Sequence, residues 1–179
     1  MSRLRVGFIG AGNRANASHY PSVAELSELA EMVAVCDLDA QRLAETADRW
    51  GIARRFLDLH EMLGAVELDA VYCIGPPGAL MEMVMPCLEA RKHVFTEKPL
   101  GINSDQARAM AEAAQAHGCL TMVGFNRRFS PISQHCRRVI DERGGATQVI
   151  VEYHKSPVET NPYTDVSMFV YDVSHAVDA

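Results

Sequence analysis

The sequence has no excess of positive charge. Its 179 residues contain 17 lysines and arginines against 23 aspartates and glutamates, which gives a formal net charge of −6. Proteins that bind nucleic acids or anionic membrane surfaces do so mainly through basic faces that neutralise phosphate groups. The charge balance therefore argues against both, and we predict no nucleic-acid partner.

Long apolar runs are missing as well. No stretch approaches the roughly 20 apolar residues that span a bilayer, and the first residues lead into a strand pattern instead of a signal peptide. The five cysteines are odd in number and form no C-x-x-C spacing. These absences predict a reduced, cytoplasmic protein with no membrane segment and no metal site.

A glycine pattern near the start is the first positive signal. The apolar run Val6–Ile9 is followed by Gly10, Gly12 and Ala15, which is the strand–loop–helix pattern that receives a dinucleotide. Gly10 permits a tight turn, Gly12 lets the backbone approach a pyrophosphate, and Ala15 lets the helix pack on its strand. The free N–H groups of the helix N-terminus would then face the anion. The alternative is a glycine-rich turn without a ligand.

An acid stands where the second half of that pattern requires one. The predicted strand Met32–Cys36 ends in Asp37, 22 residues after Ala15. A carboxylate at this position accepts a hydrogen bond from the adenosine ribose 2′-hydroxyl and repels a 2′-phosphate, so it favours NAD over NADP. Arg42 would weaken that preference. The alternative is that Asp37 only caps the turn that follows it.

Strand and helix patterns alternate along most of the chain. The strands are continuous apolar runs, which is typical of a parallel sheet covered on both faces. We therefore predict an α/β fold, a doubly wound parallel sheet, over residues 1–124, and the beginning of a second α/β domain over residues 125–179. Within these domains, Pro21 is predicted to interrupt the first helix, which resumes with Val23, Leu26 and Leu29. Thr147–His154 is predicted to form a half-exposed strand.

The segment Glu97-Lys98-Pro99 follows the predicted strand His93–Thr96. A proline after the lysine would fix the turn if its peptide bond were cis. The charged form of a buried lysine beside a cationic nicotinamide is disfavoured, so the lysine can polarise a substrate oxygen. The alternative is a surface lysine in an ordinary βα loop.

Five segments of the chain together resemble one family. GFIGAGNRA, VAVCDLD, IGPP, HVFTEKPLG and VGFNRRFSP are similar, in order and spacing, to the Gfo/Idh/MocA family of nicotinamide-dependent sugar and polyol oxidoreductases. The resemblance covers essentially the whole chain. It implies a Rossmann domain followed by an α/β domain whose open sheet covers the active site and often forms the oligomer interface. It therefore implies a sugar or polyol substrate and a homo-oligomer.

The resemblance also implies roles for individual residues. The cofactor would be bound by Gly10, Gly12, Asn13 and Arg14 at the pyrophosphate, by Asp37 at the ribose, by Gly75 and Pro76 beside the nicotinamide, and by Glu97 near its ribose or amide. Lys98 would contact both the nicotinamide and the substrate hydroxyl. Asn126 and Arg127 would border the substrate pocket.

The family's remaining catalytic pair is an aspartate and a histidine one helical turn apart. His175 matches the histidine and would act as the general base that takes the hydroxyl proton. The usual aspartate position falls on Tyr171, whereas Asp172 is one residue closer. Both lie on the same helical face as His175, so either Asp172 or Tyr171 would support it. Leu80 stands where many members have a histidine, and a metal site of His175 and Asp172 with His154 is the least favoured alternative.

The leading functional hypothesis is hydride transfer between NAD and a sugar or polyol. The sequence ends soon after His175, before the strands expected of the second sheet, so we expect this form to be catalytically incompetent. Its tail would be either mobile or buried by another copy. The main alternative is a non-catalytic dinucleotide-binding regulator or partner subunit. A third is redox-neutral chemistry with tightly held NAD.

Overall fold

The computed structural model describes residues 2–152 together with Ser174 and Asp178. Strands and helices alternate along the chain. The strands are β1 Leu4–Ile9, β2 Ala30–Cys36, β3 Arg54–Phe56, β4 Ala70–Cys73, β5 His93–Thr96 and β6 Thr121–Val123. The helices are α1 Tyr20–Glu25, α2 Ala40–Trp50, α3 Leu59–Ala65, α4 Leu80–Glu89, α5 Ser104–His117 and α6 Pro131–Glu142.

The strands form one six-stranded sheet in the order β3-β2-β1-β4-β5-β6. Every neighbouring pair is parallel. The chain builds outward from β1 to β3, then returns to the other side of β1 and continues through β4, β5 and β6. The direction of winding therefore changes between β1 and β4, and a crevice for ligands forms at such a switch point, beyond the carboxyl ends of the strands.

Successive strand residues point to opposite faces of the sheet, and each face has its own core. One core joins strand residues such as Ile9, Cys36 and Val71 to buried residues of α3, α4 and α5. The other joins Phe8 and Val35 to buried residues of α1 and α2. Helices on both faces of an all-parallel sheet confirm the predicted α/β, doubly wound fold.

The ends of the helices follow from short-range hydrogen bonds. The Asp39 carboxylate accepts from the backbone N–H of Arg42 and caps α2, and Gly51 ends that helix in the left-handed conformation. Asn103 caps α5 in the same way, by accepting from Gln106 N–H. The Gln106 side chain returns to the N–H of Ile102, one residue before the usual capping-box partner.

Pro21 does not interrupt the first helix, contrary to prediction. Helical conformation is continuous from Asn13 to Glu25, because a π-helical turn over Ala15–His19 leads directly into α1, of which Pro21 is the second residue. The helix ends at Glu25, and Leu26 and Leu29 are exposed. Their helical spacing was therefore misleading, because they belong to the turn that leads into β2.

The chain divides into two compact units, Met1–Val123 and Gly124–Ala179. The described part of the second unit contains a 3₁₀ turn over Asn126–Phe129 and α6, whose N-cap Ser130 accepts from Ser133 N–H. The Arg128 guanidinium pairs with the carboxylate of Asp178. Among the described residues of both units, no helix is long and apolar enough to cross a membrane.

The predicted strand over Thr147–His154 is not formed in its described part. Residues 147–152 have no strand conformation and are exposed. Strand geometry depends on a partner that satisfies the backbone groups, and none of the six described strands pairs with this segment. His154 and the predicted catalytic residues Tyr171, Asp172 and His175 lie outside the described residues.

Candidate functional site

The loop after β1, residues 10–12, is called here the glycine loop. It makes a turn at Gly10 that only glycine can occupy. Gly10 has a φ of +112°, and a Cβ added there would lie 2.0 Å from the carbonyl oxygen of Ile74. Its own N–H donates to the carbonyl of Cys36 at 2.8 Å. Gly10 therefore provides the close approach of β1 to both neighbouring strand ends, in a backbone conformation that other residues rarely adopt.

The outer side of the same loop is open. A Cβ added at Gly12 would meet no atom within 4 Å, whereas Ala15 is completely buried beneath the loop. The Asn16 side chain holds the loop from behind by donating to the carbonyl oxygens of Ala11 at 2.8 Å and Gly12 at 3.3 Å. The indole N–H of Trp50 donates to the Asn16 side-chain oxygen at 2.9 Å.

Asp37 fastens the end of β2 to this loop. One carboxylate oxygen accepts from the N–H of Ala11 at 2.7 Å, and the other accepts from the N–H of Asp39 at 2.9 Å. Arg42 donates to the second oxygen through Nε at 3.3 Å and Nη2 at 3.2 Å. Asp37 thus caps the turn that follows it and also positions the glycine loop.

An open polar cleft of about 360 Å³ lies next to these residues. It is lined by Ala11, Asn13, Asn16, Asp39, Gln41, Arg42, Glu45, Thr46 and Arg49. Its volume lies within the usual range of small-molecule sites. Asp37 is absent from this lining, because its oxygens are turned toward the two backbone N–H groups and Arg42.

Glu97, directly after β5, is a buried carboxylate with three hydrogen-bond donors. Its Oε1 accepts from Arg14 Nε and from His19 Nε2, each at 2.8 Å, and its Oε2 accepts from the Lys98 N–H at 3.1 Å. Burial raises the pKa of Glu97, but the hydrogen bonds from His19 and Arg14 and the Arg14 charge outweigh it and lower the pKa to about 2. Glu97 is therefore ionised at neutral pH.

The turn after Glu97 carries Lys98, which is half-buried. The Lys98–Pro99 peptide bond is cis, and Pro99 is buried. The segment Gly75–Gly78 comes shortly after β4, and β4 lies between β1 and β5 in the sheet. The glycine loop follows β1 and the Lys98 turn follows β5, so this segment comes from the strand between them. A Cβ on Gly75 would lie 2.5 Å from the sulfur of Met83, so the Met83 side chain of α4 packs directly on this glycine.

Sequence reasoning missed His19. It lies at the end of the π-helical turn, and its ring packs 5.2 Å from Phe95 and 6.0 Å from Tyr72, centroid to centroid. Tyr72 stacks on both Phe8 and Phe95, which are its register partners in β1 and β5. A histidine on the first helix carried no periodic signal, and only the pairing of β4 with β5 shows that an aromatic surface lies beneath it.

The predicted residues of the first unit therefore meet at one edge of the sheet, where the glycine loop, Asp37, the Gly75 segment and Glu97–Lys98 follow four neighbouring strands. The other predicted residues that are described, Asn126 and Arg127, lie on the 3₁₀ turn of the second unit. Their role at the substrate pocket stays a prediction.

A parallel sheet with a switch point, a glycine turn and an open cleft beside that turn defines the class of domain to which the first unit belongs. The first unit is a dinucleotide-binding domain of the Rossmann type. Residues 4–125 match the profile of the Gfo/Idh/MocA oxidoreductases, described as an oxidoreductase family with an NAD-binding Rossmann fold. The chain belongs to this family.

Individual relatives agree with that assignment. The chain is 32% identical over 179 residues to inositol 2-dehydrogenase 3 of Saccharopolyspora erythraea, covering 98% of this chain and 52% of that protein. It is 34% identical over 139 residues to D-glucoside 3-dehydrogenase of Escherichia coli, covering 78% of this chain and 39% of that protein. The chain thus spans about half, or less, of these relatives.

A solved structure shows the same fold with its ligands. The WlbA dehydrogenase of Chromobacterium violaceum, in complex with NADH and UDP-GlcNAcA, has a TM-score of 0.75 and 28% sequence identity. The similarity covers 79% of this chain and 40% of that one. The ligands are those of the WlbA protein.

Proposed function

We propose that this protein is an NAD-dependent dehydrogenase that transfers hydride between a hydroxyl carbon of a sugar or polyol and nicotinamide. The observation that carries the proposal is the glycine loop, which is held by Asp37 from one side and, through Arg14, by Glu97 from the other. Membership of the oxidoreductase family and the inositol and glucoside dehydrogenases among its relatives support the substrate class.

The residues present fit the dinucleotide. The open side of Gly12 leaves space for a diphosphate against the N–H groups that follow Ala11, and the polar cleft beside Asp39 and Arg42 offers a place for the adenosine. The bound nicotinamide would supply the hydride acceptor or donor. We assign NAD in preference to NADP, because the Asp37 carboxylate and the nearby Asp39 disfavour another phosphate, and Arg42 is already paired with Asp37.

On the protein side, Lys98 would orient and polarise the substrate oxygen from the turn after β5. By family resemblance, His175 would take the hydroxyl proton, supported by Asp172 or Tyr171. Asn126 and Arg127 would contact the substrate. A homo-oligomer and a cytoplasmic location complete the proposal, the first from the family's usual second-domain interface and the second from the unpaired cysteines.

The first experiment measures dinucleotide binding. Trp50 is the single tryptophan of the sequence, and Asn16 links it to the loop, so NADH binding should quench its fluorescence. Gly12→Ala should keep the fold, since its Cβ meets no atom within 4 Å, but should weaken NADH binding at least roughly tenfold by obstructing the diphosphate. Gly64→Ala, in open space on α3, is the matched control and should bind normally.

The second experiment separates an enzyme from a binding protein. NAD reduction is followed with a panel of polyols and sugars, using a form extended to the full length of the relatives, with Lys98 intact and with Lys98→Ala. The dehydrogenase proposal predicts that Lys98→Ala loses turnover while keeping most of its NADH affinity. A folded wild type that does not bind NADH would refute the proposal. NADH binding by the extended form without turnover of any polyol or sugar would favour the non-catalytic alternative.

A further inference from the structure

The Glu97 carboxylate connects two parts of the site that are far apart in sequence. Arg14 and His19 lie 83 and 78 residues before it, on the segment that follows the glycine loop. Lys98 is its immediate neighbour and donates its N–H to the other carboxylate oxygen. A single buried group therefore contacts both the segment that follows the glycine loop and the backbone of Lys98.

The two donors to Oε1 differ in exposure. The Arg14 side chain is 55% exposed and that of His19 is 12% exposed. A guanidinium near the surface can turn toward solvent or toward an anion. His19 is confined by the rings of Phe95 and Tyr72, so it is the donor whose position the fold fixes.

We infer that His19 is a positioning residue. It holds the Glu97 carboxylate in place, and that carboxylate in turn fixes the orientation of Arg14, beside the glycine loop, and the backbone at Lys98. The inference rests on the proposed function for the roles of Arg14 and Lys98. Arg14 uses its Nε for Glu97, so the orientation of its guanidinium plane depends on where that carboxylate is held. The Lys98 backbone depends on the same carboxylate through Oε2.

The chemistry of the hydrogen bond provides a matched pair of variants. His19→Gln places an amide N–H near the position of Nε2 and should retain the bond to Glu97. His19→Asn is equally polar but too short to reach that position, so it should lose the bond. His60→Asn, on the exposed surface of α3, controls for the substitution itself.

The first readout is hydrogen exchange of the Lys98 amide in the cofactor-free protein. We expect His19→Asn to speed this exchange roughly tenfold, from the usual strength of a hydrogen bond to a charged group. His19→Gln and His60→Asn should leave it close to wild type. The amide of Val71, in the buried centre of β4, exchanges only when the whole domain opens. Its exchange rate should therefore stay at the wild-type value in His19→Asn while that of the Lys98 amide rises.

The second readout is NADH affinity, which we expect His19→Asn to weaken roughly tenfold and His19→Gln to leave within a few-fold of wild type. Equal acceleration at Lys98 and Val71, or equal effects of asparagine and glutamine, would overturn the inference by assigning His19 a general stabilising role. Unchanged exchange in His19→Asn would overturn it directly. If the wild type does not bind NADH, the proposed function fails, and Lys98 exchange still decides whether His19 positions Glu97.

Discussion

Two carboxylates hold the glycine loop, and they do so by different means. Asp37 binds backbone N–H groups of Ala11 and Asp39, whereas Glu97 binds the side chains of Arg14 and His19. Both are largely buried, with side chains 10% and 7% exposed. The backbone partners of Asp37 exist wherever the sheet and its loop form, and Arg42 adds a side-chain bond. The side-chain partners of Glu97 exist only if two particular residues are present, and the Lys98 N–H adds a backbone bond. The Asp37 end of the site therefore depends mainly on the backbone of the loop, and the Glu97 end depends mainly on the side chains of Arg14 and His19.

The largest effect that tests this comparison should come from Glu97→Ala. It leaves the largely buried His19 and the Lys98 N–H without their acceptor, and breaking a buried charged pair typically costs about 3–5 kcal/mol. The half-exposed Arg14 recovers hydration, so we expect the free energy of unfolding in urea to fall by about 2–3 kcal/mol. The control is Glu67→Ala, which removes a surface pair with Arg5 in which the Glu67 side chain is 93% exposed. That control should lose less than about 0.5 kcal/mol, and an equal loss in both variants would contradict the comparison.

Acid should act mainly through Glu97. The pKa of its carboxyl lies at about 2 in the folded protein, below the ordinary 4.5 that applies to the unfolded chain. The stabilisation is therefore fully present above about pH 4.5 and is lost as the pH falls from there toward about 2. Its size is on the order of 2–3 kcal/mol. Urea unfolding at pH 6 and pH 3 should show a steeper loss in wild type than in Glu97→Gln, and parallel losses would show that Glu97 does not carry the acid sensitivity.

Substitution of Asp37 should lower the stability less than substitution of Glu97 does, and should change the cofactor preference more. Asp37→Ala leaves the N–H of the buried Ala11 unpaired, which should lower the free energy of unfolding by about 1–2 kcal/mol. It also releases Arg42 from Asp37, leaving only its longer pairing with Asp39, and removes a negative charge. The NADPH affinity relative to NADH should therefore rise roughly tenfold. Binding of both dinucleotides is measured by Trp50 fluorescence. Asp48→Ala, which breaks a surface pair with Arg55, should not alter the ratio, and an unchanged ratio in Asp37→Ala would remove Asp37 from the choice of cofactor.

The smallest effect should be that of Trp50→Phe. The phenyl ring keeps much of the stacking on Tyr20, whose ring centroid lies 5.8 Å away, but it loses the indole N–H that donates to Asn16. Asn16 retains its own bonds to the loop carbonyls, so the loss should be about 1 kcal/mol in urea unfolding. A loss of 3 kcal/mol or more would show that Trp50 supports the loop as strongly as Glu97, and that the two-carboxylate comparison is incomplete.

The strands and helices of the sheet domain could be predicted from the sequence because they depend on patterns among residues that are close together in the chain. Continuous apolar runs such as the one over β4 predict buried parallel strands, and caps such as Asp39 and Asn103 are recognised within four residues of sequence. The same locality explains the errors. Leu26 and Leu29 have helical spacing but lie in a turn, because the helix had already ended at Glu25. The segment over residues 147–152 alternates like a strand, but alternation supplies no hydrogen-bonding partner.

The glycine loop was predictable for a further reason. A positive φ in a tight turn is adopted readily only by glycine, so a glycine directly after an apolar strand indicates such a turn. Asp37 was predictable by its distance from that loop, although its partners were not. The sequence left open whether it caps a turn or faces a ribose. The structure shows the turn-capping bond to Asp39 N–H and adds the bond to Ala11 N–H.

By itself, the sequence determined the alternation of strands and helices, the glycine turn and the placing of acids after β2 and β5. These follow from interactions between residues close in the chain and from backbone conformation. Only the tertiary structure decided that His19 and Arg14 meet Glu97, and that Tyr72 and Phe95 form the surface beneath His19. The physical reason is that sheet register brings together residues about 80 positions apart, and no local pattern records which of them will touch.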